Sequence, residues 1–231
     1  MFMPVSTTAP SAHTRHHRSL LAPFEKSVLV WIARRLPAAV TSDHLTLLGL
    51  VSMLAVGGAF AWSARTPAVL YLVPGLLALN WFGDSLDGTL ARVRNRQRPR
   101  YGFYVDHVVD IVGMAALCGG LALSGGMQPT IALLLLAAYL SAMGEVFLAT
   151  HVTAVFRLAS FGFGPTELRI VLAVGSLALI RRPTVTVAGL GAVPLFDLGG
   201  VVAIVGIAVA FVVSAIGTTR QLAREESPRR S

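Results

Sequence analysis

The chain has 231 residues, of which 55% are hydrophobic and only 13% charged, and its formal net charge is +8. A soluble domain carries about 25% charged residues, so this composition excludes an ordinary water-soluble protein and predicts one integral membrane domain. The basic residues flank apolar stretches, an arrangement typical of membrane topology and anionic headgroups and not of nucleic-acid binding. Because Cys118 is the single cysteine, an intramolecular disulfide and a thiolate metal site are excluded.

The order of polar and apolar segments predicts an all-α, polytopic membrane fold. Residues 1–19 predict a disordered polar tail, and residues 20–38 mix apolar and charged side chains at helical spacing, as in an amphipathic helix lying in the membrane interface. Six longer apolar segments then predict transmembrane helices, of which the fifth is short for the about 20 residues that a span needs. They lie at 45–64, 67–91, 103–124, 129–156, 166–182 and 198–217. The membrane domain would cover 20–217, before a basic tail at 218–231.

The distribution of basic residues predicts the orientation of these spans. Six spans permit both termini to be cytoplasmic, and of the 19 lysine and arginine residues only Arg65, Arg181 and Arg182 would then lie on the opposite side. We therefore expect cytoplasmic termini and a cytoplasmic loop after the second span. The abundance of alanine, valine, glycine and arginine is typical of proteins of the bacterial cytoplasmic membrane.

Four aspartates lie near the cytoplasmic ends of the second and third predicted spans. Asp84 and Asp87 are three residues apart, and Asp106 and Asp110 are four apart, so on helices each pair shares one face. A hairpin would bring both pairs to the same membrane surface, where four carboxylates repel one another unless cations neutralise them. Oxygen ligands suit Mg²⁺ or Mn²⁺, and two such ions close together recur in phosphoryl chemistry. The aspartates thus predict a two-metal site.

The four aspartates belong to a longer pattern that also contains glycine, alanine and arginine. It reads Asp84-x-x-Asp87-Gly88-x-x-Ala91-Arg92, then nine residues, then Gly102-x-x-x-Asp106-x-x-x-Asp110. A shorter segment at the entrance to the first span reads Asp43-His44-Leu45-Thr46. The long pattern resembles the signature of the CDP-alcohol phosphotransferase family, and the short one is similar to a nucleotide-contacting segment in some members. Six spans behind an interfacial helix also look like that family, so the resemblance covers most of the chain.

The resemblance implies an enzyme of phospholipid synthesis that transfers a phosphoalcohol group, such as phosphatidyl, from a CDP-linked donor to a hydroxyl acceptor and releases CMP. Asp84, Asp87 and Asp106 would be metal ligands. Asp110 would be both a ligand and the general base that takes the proton of the acceptor hydroxyl. The donor site would consist of Asp43, Thr46, Gly88, Ala91 and Arg92. A guanidinium is a good fork for phosphate, which fits Arg92. The family further implies membrane lipid as a partner and a homodimer.

Gly88 and Gly102 lie inside predicted helices, where glycine costs about 1 kcal/mol relative to alanine. Two explanations are open at this point. A bare backbone lets a nucleotide approach closely, and close packing of two membrane helices also favours glycine.

The linker Val93–Tyr101 leaves the identity of the donor open. Some lipid-donor members carry serine or threonine there, whereas this chain has neither. It has arginines instead: Arg94, Arg96, Arg98 and Arg100. These arginines could contact phosphate, or they could anchor the loop to anionic lipid. The donor is either CDP-diacylglycerol, used with a polar acceptor, or a CDP-linked headgroup, used with a lipid acceptor.

Three further charged residues are candidates for the acceptor site. Arg157 and Arg169 should face the cytoplasmic surface near the aspartates, where they could bind an anionic acceptor or only reflect positive-inside topology. Glu145 lies within the fourth span, where carboxylates are rarely tolerated. It could shape the acceptor pocket, or it could pair with a polar group of a neighbouring helix.

Two other functions use aspartates in membranes. Intramembrane prenyltransferases bind Mg²⁺ with two aspartate-rich motifs, but they usually have more spans and lack the glycine, alanine and arginine that follow Asp87 here. A divalent-cation transporter would be expected to place its ligands near the midplane, whereas these aspartates lie near one surface beside an arginine-rich loop.

Overall fold

The structure, a computed structural model, describes residues 22–153, 165–187, 189 and 191–226. Within them it contains seven α-helices: α1 (Ala22–Arg35), α2 (Ser42–Ser63), α3 (Val73–Val93), α4 (Pro99–Leu123), α5 (Pro129–Thr153), α6 (Pro165–Arg181) and α7 (Leu195–Glu225). A 3₁₀ helix, Pro67–Leu72, leads into α3. Two short antiparallel strands, β1 (Thr184–Val187) and β2 (Gly191–Pro194), precede α7. The predicted tail at 1–19 lies outside the described residues.

The start of α2 is fixed by a reciprocal cap. The Thr41 hydroxyl accepts a hydrogen bond from the His44 backbone N–H at 3.3 Å, and His44 Nδ1 accepts one from the Thr41 N–H at 3.3 Å. Such a capping box satisfies two N–H groups that a helix start leaves without an intrahelical partner. His44, part of the segment that resembles a nucleotide-contacting motif, therefore has a structural role here.

The turn between α3 and α4 explains how the two aspartate pairs come to the same end of the molecule. Asn95 has a φ of 51°, a left-handed conformation that asparagine tolerates better than most residues. The Arg96 N–H donates to the Ala91 carbonyl at 2.9 Å and the Asn95 N–H to the Arg92 carbonyl at 3.2 Å, which together form a Schellman motif. Pro99 then begins α4 with a φ suited to a first helical turn. The predicted hairpin is therefore present.

Glycines allow α2 to touch α3 and α4 backbone to backbone. A Cβ added at Gly57 would lie 2.3 Å from the Ala116 carbonyl oxygen, and one added at Gly120 would lie 2.1 Å from the Gly57 oxygen. A Cβ at Gly83 would lie 2.5 Å from the Leu45 oxygen. Only residues without a side chain permit such an approach, which is a common device of membrane helix packing. The apolar core continues from these crossings.

The apolar core lies between α2, α3, α4 and α5. Phe60, Leu77, Leu117 and Leu135 are among its buried side chains. Phe196, at the start of α7, packs edge-on against Phe60 with ring centroids 5.5 Å apart. Most of α7 is exposed and apolar, which is the surface expected for a helix that contacts lipid.

A helix occupies the place of each of the six predicted spans, and the interfacial helix is present as α1. Within the described residues, five of these helices are long and apolar enough to cross a membrane. The remaining one, α6, has 17 residues, or about 25 Å, slightly less than the about 30 Å of hydrocarbon. Its first turns nevertheless contact Asp84 through Arg169, while Leu179 packs near Gly126 in the turn between α4 and α5. The helix α6 therefore extends along most of the depth of α3.

Two features differ from the sequence prediction. The strands β1 and β2 pair from Thr184 with Pro194 to Val187 with Gly191, between the fifth and sixth predicted spans, where no strand was predicted. Helix α7 continues to Glu225 and so includes part of the predicted C-terminal tail. The added turns contain good helix formers, and the Gln221 amide donates to Glu225 Oε1 at 2.9 Å, as expected for a helical pair four residues apart.

Replacing Gly120 by alanine should destabilise the protein, because the new Cβ would lie 2.1 Å from the Gly57 oxygen and force α2 and α4 apart. Overpacking of this kind costs about 1–3 kcal/mol, which should lower the Tm in detergent by several degrees. The adjacent Gly119→Ala is the matched control, since its Cβ would meet no atom within 4 Å. Equal losses of stability in the two variants would contradict the close contact of α2 with α4.

Candidate active site

The two aspartate-bearing helices both pack against α2, and we call the space between them the cleft and the two helices its walls. Helices α3 and α4 each pack closely against α2, whereas in the described part of the chain they have few direct contacts with each other. Asp84 and Asp87 belong to the α3 wall, and Asp106 and Asp110 to the α4 wall. The charges of Asp84 and Asp106 both repel that of Asp87, so carboxylates from both walls are close enough to act on one another. Asp87 and Asp106 are thus near each other, and the convergence of all four carboxylates on one metal site stays a prediction.

Asp84 is held by a cation from α6. Arg169 Nη2 donates to Asp84 Oδ2 at 2.6 Å, and Arg169 Nε donates to Asn80 Oδ1 at 2.8 Å. Asn80 in turn donates from Nδ2 to the Gly49 carbonyl on α2 at 2.9 Å. Asn80 lies one helical turn before Asp84, on the same face of α3, but nothing in the sequence distinguished it from other polar residues of the span.

Asp87 is held by uncharged donors. The Thr46 hydroxyl donates to Asp87 Oδ2 at 2.7 Å, and the Gly88 backbone N–H donates to Oδ1. The Ser42 hydroxyl donates to the Asp87 backbone carbonyl at 2.9 Å. Thr46, predicted to contact the nucleotide, thus lies against a predicted metal ligand and links α2 to α3.

The carboxylates on α4 are accessible, because Asp110 is exposed and Asp106 is half-buried. Both act electrostatically on the Tyr139 hydroxyl of α5, which places a third helix beside the α4 wall. Tyr139 was not singled out from the sequence, where it is one aromatic residue in an apolar span. The neighbouring His107 is buried, and its Nδ1 lies 2.6 Å from the Phe103 carbonyl oxygen, as expected for a structural histidine.

The two signature glycines are not used for helix packing. A Cβ added at Gly88 would meet only the far end of Arg92, at 3.4 Å, and one added at Gly102 would meet no atom within 4 Å. This is the opposite of Gly57, Gly83 and Gly120, whose added Cβ atoms would collide with backbone. The packing explanation therefore does not hold for these two positions, and open space borders both of them.

The remaining donor-site residues lie around the turn between α3 and α4. Arg92 is exposed and donates from Nη2 to the Thr89 hydroxyl at 3.0 Å, one helical turn from Asp87 and Gly88, and Ala91 precedes it on α3. Asp43 forms an ion pair with Arg98. The hydrogen bond to Asp43 raises the pKa of the Arg98 guanidinium above its ordinary value.

Arg94 has a function that the sequence did not reveal. Its Nη2 donates to the carbonyl oxygens of Leu36 and Pro37, each at 2.9 Å, and its Nη1 donates to that of Val40. These carbonyls belong to the connection between α1 and α2. Arg94 therefore ties the interfacial helix to the α3–α4 turn, a role that differs from the phosphate and lipid contacts considered above.

The predicted acceptor residues have separate surroundings. Arg169 faces Asp84, as described, and Arg157 lies outside the described residues. Glu145 accepts a hydrogen bond from the Ser214 hydroxyl of α7 at 2.8 Å, which is the pairing with a neighbouring helix that was one of its two explanations. Its part in acceptor binding stays a prediction.

The donor atoms around the cleft have the chemistry of a site for a hard divalent cation, since four carboxylates supply only oxygen and their mutual repulsion favours a counterion. In the orientations described, no three histidine, cysteine, aspartate or glutamate side chains of the described residues are arranged to hold a metal ion. Instead, Asp84 is hydrogen-bonded to Arg169, and Asp87 is hydrogen-bonded to Thr46 and Gly88. The four carboxylates are thus suitable ligands for such ions, and in the structure the two on α3 accept hydrogen bonds from other residues of the protein.

The chain matches the sequence model of a known family. The sequence model of the family described as CDP-alcohol phosphatidyltransferase matches residues 39–214, more than half of the chain, and the match includes all four aspartates. No curated protein matches the sequence. The resemblance inferred from the signature is thus confirmed at the level of the family.

Arg94→Gln should lower the free energy of unfolding by about 1–3 kcal/mol, because three carbonyl groups lose a charged donor. Arg96→Gln is the control, since Arg96 is an exposed arginine of the same turn, and it should change stability by less than about 0.5 kcal/mol. Thermal unfolding in detergent measures both variants. If Arg96→Gln costs as much as Arg94→Gln, the loop arginines stabilise the protein only through their charge.

Proposed function

The match covers most of the chain, so the protein belongs to the CDP-alcohol phosphatidyltransferase family, and we propose that it transfers a phosphoalcohol group from a CDP-linked donor to a hydroxyl acceptor with release of CMP. Membership of this family supports the assignment of the protein as an integral membrane transferase that acts on CDP-alcohols. The single observation that carries the proposal is that the four aspartates of the signature lie on α3 and α4, two helices that both pack against α2.

Asp84, Asp87, Asp106 and Asp110 would hold two divalent ions, Mg²⁺ or Mn²⁺. When bound, these ions would neutralise phosphate oxygens of the donor and the charge of the leaving CMP. Asp110 is the general base of the proposal, and its exposed side chain supports this role. The acceptor oxygen forms a bond to the phosphorus that carries the alcohol, the bond from that phosphorus to the CMP oxygen breaks, and the acceptor proton passes to the Asp110 carboxylate.

The nucleotide half of the donor would lie along the end of α3. The open space at Gly88 supports a close approach of phosphate to the backbone, and the exposed Arg92 guanidinium one turn further supports a contact with a phosphate. Ala91 would add a small side chain beside them. Thr46 and Asp43 would act at the edge of this site, Thr46 through its bond to Asp87 and Asp43 through its pair with Arg98.

The acceptor would enter from the side of α5 and α6. Arg169 supports this assignment because its guanidinium lies at the edge of the cleft. Arg157 and Glu145 complete the proposed acceptor site. We also propose that the cleft and both termini face the cytoplasm of a bacterial cell, because the basic residues concentrate at that end, and that the enzyme is a homodimer, as the family resemblance implies.

The full-length protein, purified in detergent, should release CMP from a panel of CDP-linked donors and hydroxyl acceptors only when Mg²⁺ or Mn²⁺ is present. Chelation with EDTA should abolish release, and added Mg²⁺ should restore it. Asp110→Asn should reduce the rate by about 10²–10⁴-fold, the usual contribution of a general base. The control Glu226→Gln changes an exposed carboxylate at the end of α7 and should keep full activity.

The productive pair of substrates would identify the donor and the acceptor. No CMP release from folded protein with any pair, or full activity of Asp110→Asn, would contradict the proposal. Prenyl transfer, or cation flux into liposomes without CMP release, would then identify the aspartates as ligands for a different function.

A further inference from the structure

Residues of three helices fix the position of Arg169 against Asp84 of the signature. Arg169 of α6 reaches Asp84 Oδ2 with Nη2 at 2.6 Å and Asn80 Oδ1 with Nε at 2.8 Å, both on α3. Asn80 is itself fixed by its bond to the Gly49 carbonyl of α2, at 2.9 Å. The Arg169 side chain is only 16% exposed, whereas that of Asp84 is 36% exposed. The guanidinium is therefore largely enclosed by protein, and the carboxylate that it contacts is the more accessible of the two.

The geometry leaves the guanidinium little freedom. A guanidinium is planar, and two of its N–H directions are used on two acceptors that lie one turn apart on the same helix. A lysine at this position could not satisfy both acceptors in the same way. The contact is thus a built arrangement that involves a side chain of α3 with no place in the family signature, namely Asn80.

A divalent cation and this guanidinium compete for the same oxygen. Mg²⁺ binds carboxylate oxygen at about 2.1 Å, and a guanidinium whose nitrogen lies 2.6 Å from that oxygen would be a few ångströms from such an ion. Two positive centres at that separation repel each other strongly in a site of low dielectric constant. Occupation of Asp84 Oδ2 by a metal ion therefore requires Arg169 to move or to weaken its bond.

We propose that Arg169 is the resident counterion of Asp84, which a divalent cation displaces when it binds, and that the displaced guanidinium then becomes available to an anionic group of a substrate. This inference rests on the proposed function, since it takes Asp84 as a metal ligand. It makes Arg169 a positioning residue in the metal-free protein.

Mn²⁺ binding to detergent-purified full-length protein, with no nucleotide present, tests the proposal. Electron paramagnetic resonance measures free Mn²⁺ and so gives the Kd. Arg169→Gln should bind Mn²⁺ about tenfold more tightly than the wild type, because the ion no longer breaks a charge-assisted hydrogen bond. Arg169→Lys keeps the positive charge but cannot donate to Asp84 and Asn80 in the same geometry. Asn80→Ala removes one of the two acceptors of the guanidinium. Both should bind Mn²⁺ with intermediate affinity.

The control for a general effect of charge is Arg92→Gln, which removes a positive charge from the same region, where the Arg92 guanidinium is bonded to a hydroxyl. It should tighten Mn²⁺ binding by less than about threefold, since it removes no bond to an aspartate. Thermal unfolding adds a second readout. In EDTA, Arg169→Gln should have a lower Tm than the wild type, because Asp84 loses its counterion beside Asp87, and saturating Mn²⁺ should remove most of this difference.

Unchanged or weaker Mn²⁺ binding by Arg169→Gln, or equal tightening by Arg92→Gln, would overturn the proposal. If Arg169→Gln does not fold, Arg169→Lys and Asn80→Ala decide, and wild-type affinity in both would overturn it. CMP release by the same wild-type preparation separates this inference from the proposed function. Release without the expected Mn²⁺ pattern overturns the counterion role alone, and the expected pattern without release from any donor overturns only the proposed transfer.

Discussion

The arrangement of the site depends on the contact of α2 with its two neighbours. Gly57, Gly83 and Gly120 bring the α2 backbone against α4 and α3, closer than any side chain would allow. The turn at Asn95 returns the chain at the same end of the membrane, so α3 and α4 stand on two sides of α2 with a cleft between them. A soluble enzyme could build such a cleft with loops, but in lipid every backbone group must be satisfied within helices, so helix packing has to create it.

This arrangement concentrates negative charge, which is unfavourable. The partners of the two α3 aspartates offset part of this repulsion. Asp84 is neutralised by Arg169, whereas Asp87 receives a hydroxyl and a backbone N–H. These partners differ in strength, since only Asp84 has a formal counterion. Under the proposal, a cation would have to replace an arginine at Asp84, whereas at Asp87 it would meet only uncharged donors. Under the proposal, metal binding and the availability of Arg169 to substrate would be linked in this way.

Much of the fold could be predicted because local patterns determine it. The length of the apolar stretches indicates the spans, and the three- and four-residue spacing of the aspartates places each pair on one face. Contacts between distant residues could not be predicted in this way. An arginine in a basic loop has the same appearance in the sequence whether it binds lipid, phosphate or, like Arg94, the carbonyl of Leu36. The pairing of Arg169 with Asp84 is of the same kind. The hairpin of β1 and β2 had a local signal, two short valine-containing segments beside glycines, which the strong apolar pattern of the following span concealed.

Anomalous diffraction from crystals grown with Mn²⁺ and CMP would test the central claim most directly, because it locates the ions without reference to activity. The account predicts two peaks about 3.5–4 Å apart within the cleft, each in contact with carboxylates from both α3 and α4. It also predicts that Arg169 no longer contacts Asp84 Oδ2. Peaks outside this cleft, or a cleft that binds no ion at saturating Mn²⁺, would contradict it.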